Sequence, residues 1–128
     1  MRKYIAIVLV IIMAIGFTGC ENKEMSYMQI SMDEAVSIME TETDYIILDV
    51  RTAEEFVEKH IPNAINIPNE VIGTEEIAEL PDKDQLILVY CRSGNRSKQA
   101  SEKLVALGYT NVYEFGGIND WTGETVSN

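Results

Sequence analysis

The chain has 128 residues, enough for one domain with a modest core, and carries a formal net charge of −11. Such an acidic balance argues against binding to nucleic acid and against charge attraction to anionic lipid. With one histidine and two cysteines the sequence contains no cluster of metal-ligand residues, so we expect no metal and no cofactor.

The N-terminus is organised like a bacterial export signal. Arg2 and Lys3 precede an apolar run over residues 4–17, which is shorter than the roughly 20 residues that span a bilayer comfortably. Residues 17–20, Phe-Thr-Gly-Cys, resemble a bacterial lipobox, in which Cys20 would be acylated and become the mature N-terminus. We therefore expect a signal peptide over residues 1–19, a lipid-anchored tether over residues 20–27 and a domain over residues 28–128.

The alternative interpretation of this N-terminus is an uncleaved transmembrane anchor. Both interpretations predict an exported domain, tethered by lipid or by a helix to the outer face of the cell membrane. Cleavage would remove only two charges, those of Arg2 and Lys3, and change the net charge from −11 to −13. Membrane attachment must then come from the anchor. We expect a monomer.

Predicted strands and helices alternate along the rest of the chain. A short strand is expected near residues 28–30, and a capping box from Ser31 to Glu34 opens the first helix. The apolar run from Tyr45 to Leu48 predicts a strand covered on both faces, and a second capping box, from Thr52 to Glu55, opens a short helix. Residues 64–67 predict a short strand between two prolines.

The second half continues the alternation. Residues 75–80 predict a short helix before Pro81, and residues 86–90 form the most apolar predicted strand. A helix is predicted over residues 98–107, ended by Gly108, and a last strand over residues 111–115. This order predicts an α/β fold with a five-stranded parallel sheet flanked by helices on both faces.

The most informative stretch follows the most apolar strand. Cys91 ends that strand, and a short loop joins it to a predicted helix; the loop and helix start comprise Arg92, Ser93, Gly94, Asn95, Arg96 and Ser97. Loop amides, a helix N-terminus and nearby cations favour the nucleophilic thiolate form of a cysteine. The alternative is a small buried hydrophobic residue. The small or cationic residues that follow favour the reactive interpretation, because none is apolar before Ala100.

A second strand contributes to the same edge of the sheet. Asp49 and Arg51 stand where the strand beginning at Tyr45 ends. Ligand crevices in parallel sheets lie beyond the carboxyl ends of the strands. We therefore expect Asp49, Arg51 and the Cys91 loop to form one site.

Three stretches together resemble a single-domain rhodanese, a family of sulfurtransferases. They are residues 48–51, Leu-Asp-Val-Arg; residues 55–68, with Glu-Phe and His-Ile-Pro-Asn-Ala-Ile-Asn-Ile-Pro; and the loop from Cys91 to Ser97. Residues 116–118, Gly-Gly-Ile, and Trp121 resemble the family's usual ending. Each motif alone is weak, but their order and spacing cover roughly residues 30–121.

The resemblance implies a central strand ending in Cys91, the Asp49 strand beside it, and a mechanism. The Cys91 thiolate would take the outer sulfur of a donor such as thiosulfate or a persulfide and pass it to a thiol or cyanide acceptor. Amides from Arg92 to Ser97 would hold the transferred sulfur's charge, while Arg96 would close the loop. Arg51 or Arg92 would attract an anionic donor, and Asp49 would orient Arg51 or loop groups.

Loop length separates two chemistries in this superfamily. Cys91 and Arg96 are spaced as Cys-x4-Arg, which resembles sulfurtransferases, whereas related phosphatases have one residue more. The sequence departs from the usual family pattern at Lys59 and Asn63, where glycine is common. Asn63 should keep its turn, because asparagine tolerates the left-handed conformation. A third possibility is a non-enzymatic module that binds or senses sulfide species or a partner protein.

Acylation of Cys20 is directly testable. Metabolic labelling with a fatty-acid analogue should mark the wild-type protein in the membrane fraction, and Cys20→Ala should abolish the label. If the wild-type protein takes up no label and keeps residues 1–19, the lipid-anchor interpretation is wrong and the segment is a transmembrane anchor.

Overall fold

The computed structural model describes residues 26–128, which form an α/β domain. Its strands are β1 (Met28–Gln29), β2 (Tyr45–Asp49), β3 (Ile65–Asn66), β4 (Leu86–Cys91) and β5 (Val112–Gly117). Its α-helices are α1 (Met32–Thr41), α2 (Ala53–Glu58) and α3 (Asn95–Ala106), with short 3-10 turns at Asn69–Val71 and Ile118–Asp120. The predicted signal peptide, Cys20 and most of the predicted tether lie outside the described residues.

The five strands form one sheet in the order β1-β5-β4-β2-β3, and every pair is parallel. The predicted fold class is therefore confirmed. The central strand β4 ends at Cys91, and β2, which ends at Asp49, lies directly beside it. The carboxyl ends of these two strands consequently meet at one edge.

Two apolar clusters cover the two faces of the sheet. On one face α3 packs through Ala100, Leu104 and Val105 against β4 residues that include Val89. On the other face Ala35 of α1 joins a cluster with Tyr90, Phe115 and Ile118. Tyr27, at the end of the predicted tether, already packs against the first cluster. No helix within residues 26–128 is long and apolar enough to cross a membrane.

Both predicted capping boxes are present. The Ser31 hydroxyl accepts a hydrogen bond from the Glu34 amide at 3.0 Å, and the Thr52 hydroxyl accepts one from the Glu55 amide at 3.2 Å. The carboxylate of each glutamate in turn accepts a hydrogen bond from the backbone amide of the cap residue. Asn63 has a φ of 72°, so the left-handed turn expected there is confirmed. The extended backbone of Lys59 has no need of glycine.

Of the predicted helices, one does not form in the structure and another begins earlier than predicted. The helix expected over residues 75–80 is wrong: this segment forms bends and one turn, in which the Leu80 amide donates to the Ile77 carbonyl. Pro81 disfavours helical backbone at the residue before it. A single turn is enough to bring Leu80 into the core, where it is buried. The predicted helix 98–107 instead begins at Asn95, because Gly94 turns the chain directly from loop to helix with a φ of 117°.

The end of β5 lies against the Cys91 loop with no room for a side chain. A Cβ on Gly117 would overlap the carbonyl group of Arg92, whereas a Cβ on Gly73 would meet nothing within 4 Å. Gly117→Ala should therefore lower the free energy of unfolding by about 3 kcal/mol, measured by urea denaturation. The matched control Gly73→Ala should change it by less than about 0.5 kcal/mol. Equal stability of the two variants would contradict this close approach.

Candidate active site

The candidate site lies where β2 and β4 end. Asp49 pairs in register with Tyr90, so Cys91 follows immediately at the same edge. The structure brings Asp49, Arg51 and the Cys91 loop together, as their positions after neighbouring strands predict. The site is assembled from the ends of β2, β4 and β5 and from the first turns of α2 and α3.

Cys91 lies at the base of its loop and is only 1 % exposed. The Gly94 amide donates to its Sγ at 3.0 Å. Gly94 itself adopts a φ of 117°, which side-chain-bearing residues rarely adopt, and at this residue the chain turns from the loop into α3. The loop is thus built to place a backbone hydrogen-bond donor on the sulfur. A donor in that position stabilises negative charge on sulfur.

Ser97 lies on the inner side of the same loop. Its Oγ is 3.4 Å from Cys91 Sγ and 2.5 Å from Oε2 of Glu114, a carboxylate on β5 that is 2 % exposed. The Gly116 amide donates to the same Oε2 at 3.0 Å. The sulfur therefore has a polar neighbourhood on the core side as well as an amide on the loop side.

Asp49 and Arg51 form a buried ion pair rather than an exposed anion-binding group. The Arg51 guanidinium donates to Asp49 through Nε at 3.0 Å and through Nη2 at 2.6 Å, and Nη2 also donates to the Lys59 carbonyl at 2.7 Å. Both residues are at most 4 % exposed. Burial raises the pKa of neighbouring Tyr90, and its hydrogen bond to Asp49 acts in the same direction. This pair braces the end of β2 against the turn that follows α2.

Arg96 is held by Glu55 across the site. Its two terminal nitrogens donate to the two Glu55 oxygens at 2.8 and 3.2 Å. The hydrogen bonds from Arg96, the largest cause, and those from Thr52 together lower the pKa of Glu55 from 4.5 to about 2, against the opposing influence of burial. Glu55 therefore both caps α2 and ties that helix to the reactive loop.

A cleft of about 160 Å³ opens beside the loop. Its walls carry both signs of charge, and they are formed by Arg51, Glu55, Glu58, Lys59, Arg92, Ile118 and Asn119. Arg51 is neutralised by Asp49, whereas the Arg92 side chain is 66 % exposed and its Nη1 lies 3.9 Å from Glu55 Oε2. Arg92 is thus the loop cation most accessible to a solute in this cleft.

The remaining predicted loop residues take three different positions. Gly94 and Ser97 are buried against the sulfur, Arg96 is half-buried, and Arg92, Ser93 and Asn95 are exposed. Sequence analysis did not identify Glu55 as the partner of Arg96, because the two are 41 residues apart and the capping box already accounted for Glu55. It also missed Glu114, although an acidic residue inside a buried strand is itself an unusual feature.

The rhodanese-like domain family matches residues 31–124, and the chain belongs to that family. The thiosulfate sulfurtransferase PspE of Escherichia coli (strain K12) is 40% identical over 73 residues, which are 57% of this chain and 70% of PspE. The thiosulfate sulfurtransferase GlpE of Coxiella burnetii is 36% identical over 98 residues, 76% of this chain and 89% of GlpE. By contrast, this chain covers only 24% of the Candida albicans adenylyltransferase and sulfurtransferase UBA4, at 36% identity.

Solved structures agree with this assignment. A rhodanese with anions from Escherichia coli superposes with a TM-score of 0.60 at 39% identity, covering 66% of this chain and 99% of that one. A rhodanese-like domain protein from Staphylococcus aureus gives a TM-score of 0.68 at 30% identity, covering 79% of this chain and 98% of that one.

The Glu55–Arg96 pair has a predictable pH dependence. Glu55→Gln keeps a helix-capping side chain but loses the charge, so it should lower the free energy of unfolding by about 2 kcal/mol at pH 7. Because folding lowers the pKa of Glu55 to about 2, the pair contributes fully above pH 4.5 and loses its contribution as the pH falls through about 2.

Urea denaturation of the wild type and Glu55→Gln at both ends of this pH range would measure the effect. Glu54→Gln, an exposed position on the same helix turn, is the matched control and should change stability by less than about 0.5 kcal/mol. A difference between wild type and Glu55→Gln that persists unchanged at pH 2 would contradict the ion-pair origin.

Proposed function

We propose that this protein is a sulfurtransferase that moves a sulfane sulfur from a donor such as thiosulfate or a persulfide to a thiol or cyanide acceptor. The sulfur is carried as a persulfide on Cys91. The observation that supports this proposal most strongly is the Gly94 amide aimed at Cys91 Sγ at 3.0 Å, within a Cys-x4-Arg loop. The names of the relatives PspE and GlpE, both thiosulfate sulfurtransferases, point to the same chemistry.

The first half-reaction is a displacement at sulfur. The Cys91 thiolate attacks the outer sulfur of thiosulfate and forms an Sγ–S bond, while the S–S bond of the donor breaks and sulfite leaves with the bonding electrons. The terminal sulfur of the Cys91 persulfide keeps one negative charge. Loop amides between Arg92 and Ser97 are the proposed donors to that charge, in the manner of an oxyanion hole.

The second half-reaction restores the thiolate. A cyanide ion or an acceptor thiolate attacks the terminal sulfur, the Sγ–S bond breaks, and its electrons return to Cys91. The product is thiocyanate or a new persulfide. Electrons and charge balance in both steps without metal or redox cofactor.

Arg92 is the proposed attractor of an anionic donor. It lines the cleft beside the loop, and its side chain is largely exposed. Arg51, the other candidate, donates to Asp49 and to the Lys59 carbonyl, which supports a bracing role for Arg51 and for Asp49. The cleft volume of about 160 Å³ is sufficient for a donor of a few non-hydrogen atoms.

Two observations favour this function over the alternatives. A phosphatase of this superfamily needs a loop one residue longer to surround a tetrahedral phosphate, and here Arg96 is the fifth residue after Cys91. A purely binding module has no need of a cysteine, yet this chain keeps Cys91 with an amide donor on its sulfur. We further propose that the reaction takes place outside the cell membrane, on a domain anchored there through Cys20.

Formation of the Cys91 persulfide is the decisive test. Full-length protein in detergent should gain one sulfur atom on the peptide that contains Cys91 when incubated with thiosulfate, and cyanide should release it as thiocyanate. Cys91→Ser should abolish the transfer, because the serine hydroxyl is not ionised at neutral pH, while the fold should be retained. No adduct from thiosulfate, polysulfide or glutathione persulfide would overturn the enzymatic function.

A further inference from the structure

The proposed reaction requires Cys91 as a thiolate but leaves open where the thiol proton goes. Cys91 is 1 % exposed, so bulk water has little access to its thiol proton. The described residues provide one continuous path: the Cys91 thiol can donate to Ser97 Oγ at 3.4 Å, and the Ser97 hydroxyl can donate to Glu114 Oε2 at 2.5 Å.

We propose that Glu114 is a positioning residue that takes up the Cys91 proton through the hydroxyl of Ser97. The Cys91 S–H bond breaks, its proton binds Ser97 Oγ, and the original Ser97 proton binds Glu114 Oε2. The electron pair stays on Sγ, so a thiol and a carboxylate become a thiolate and a carboxylic acid. After the transfer the Ser97 hydroxyl donates to the sulfur, and Glu114 donates to Ser97.

The contacts of Ser97 favour this direction of transfer. Its hydroxyl has three oxygen acceptors within 3.5 Å: Glu114 Oε2 at 2.5 Å, the Gly94 carbonyl at 3.0 Å and the Gly116 carbonyl at 3.3 Å. A carboxylate accepts more strongly than a neutral carbonyl, and of the three it alone can bind a proton. With the hydroxyl turned to Glu114, the lone pairs of Ser97 face the thiol.

Glu114 is held in place for this role. It is 2 % exposed, the Gly116 amide donates to Oε2 at 3.0 Å, and the Gln29 side chain lies 3.5 Å from Oε1. The titratable and charged groups near this path are Tyr27 from the segment before β1, Glu55 from α2, Arg92 from the Cys91 loop, and Arg96, Lys98 and Glu102 from α3.

The test measures thiol reactivity and is independent of sulfur transfer. Full-length protein in detergent is treated with iodoacetamide, an uncharged reagent, between about pH 5 and pH 9, and alkylation of Cys91 is followed by peptide mass spectrometry. Glu114→Gln retains an acceptor for Ser97 and Gly116 but cannot take up a proton. It should be alkylated about tenfold more slowly at pH 7 and recover at high pH, which moves its profile up by about one pH unit.

Glu102→Gln is the matched control, since it removes the same charge from an exposed position on α3 and should stay within about twofold of wild type. Equal or faster alkylation of Glu114→Gln would overturn the proposal. Faster alkylation is the result expected if the carboxylate only repels the thiolate.

Ser97→Ala interrupts the path while leaving Glu114 bound to the Gly116 amide, so it decides the case if Glu114→Gln does not fold. It should slow alkylation by a similar factor, and the double variant should be no slower than either single one, because both remove the same path. Wild-type reactivity of Ser97→Ala, or multiplied losses in the double variant, would overturn the proposal.

This proposal rests on the proposed function, because a thiolate is needed there to attack the donor sulfur. Sulfur loading of Cys91 and its alkylation are separate measurements, so failure of one is distinguishable from failure of the other.

Discussion

The site depends on the close approach between the end of β5 and the Cys91 loop. Gly117 leaves no room for a side chain beside the Arg92 carbonyl, and that carbonyl accepts the Asn119 amide at 3.1 Å. Backbone contacts therefore fix the start of the loop, at Arg92, to the end of β5 and to the 3-10 turn that follows it. Fixed there, the loop brings the Gly94 amide to the sulfur and then turns into α3 at Gly94. Because packed backbone moves little, this donor is in place before charge develops on the sulfur.

A second set of contacts holds the loop from the opposite side. Glu55 on α2 accepts hydrogen bonds from Arg96, and Arg51 at the end of β2 donates to the carbonyl of Lys59, the residue that follows α2. Each of these cations is occupied by a carboxylate, so neither is left to bind the transferred sulfur. The hydrogen-bond partners of Cys91 Sγ among the described residues are the Gly94 amide and the Ser97 hydroxyl, whose positions are set by the fold rather than by long flexible side chains.

Much of this architecture follows from the sequence. The capping residues Ser31 and Thr52 predict where α1 and α2 begin, and the unbroken apolar run before Cys91 predicts a central parallel strand. The start of α3 was misplaced because Asn95 and Arg96 are not apolar, and helix periodicity is invisible until Ala100. The positive φ of Gly94 is what allows α3 to begin at the next residue. Glycine permits this backbone conformation but does not require it, so the sequence alone does not predict it.

Contacts between distant segments were the part that sequence could not supply. Glu55 with Arg96 and Glu114 with Ser97 each join residues on different elements, and only the strand order brings them together. Periodicity reports which face of an element is buried, whereas it carries no information on which buried polar groups become partners. Buried polar groups nevertheless need partners, so a lone acidic residue such as Glu114 in an apolar strand indicates that one exists.

The acidic surface and the proposed anionic donor are compatible because their effects have different ranges. At physiological ionic strength, charges more than about 8 Å apart in water are largely screened, so most of the chain's carboxylates hardly affect an anion inside the cleft. There the relevant charges are those of the walls: Arg51, whose charge Asp49 compensates, the carboxylates Glu55 and Glu58, and the cations Lys59 and Arg92, of which the Arg92 side chain is mostly exposed. We therefore expect the few residues around the loop, rather than the net charge, to select a donor.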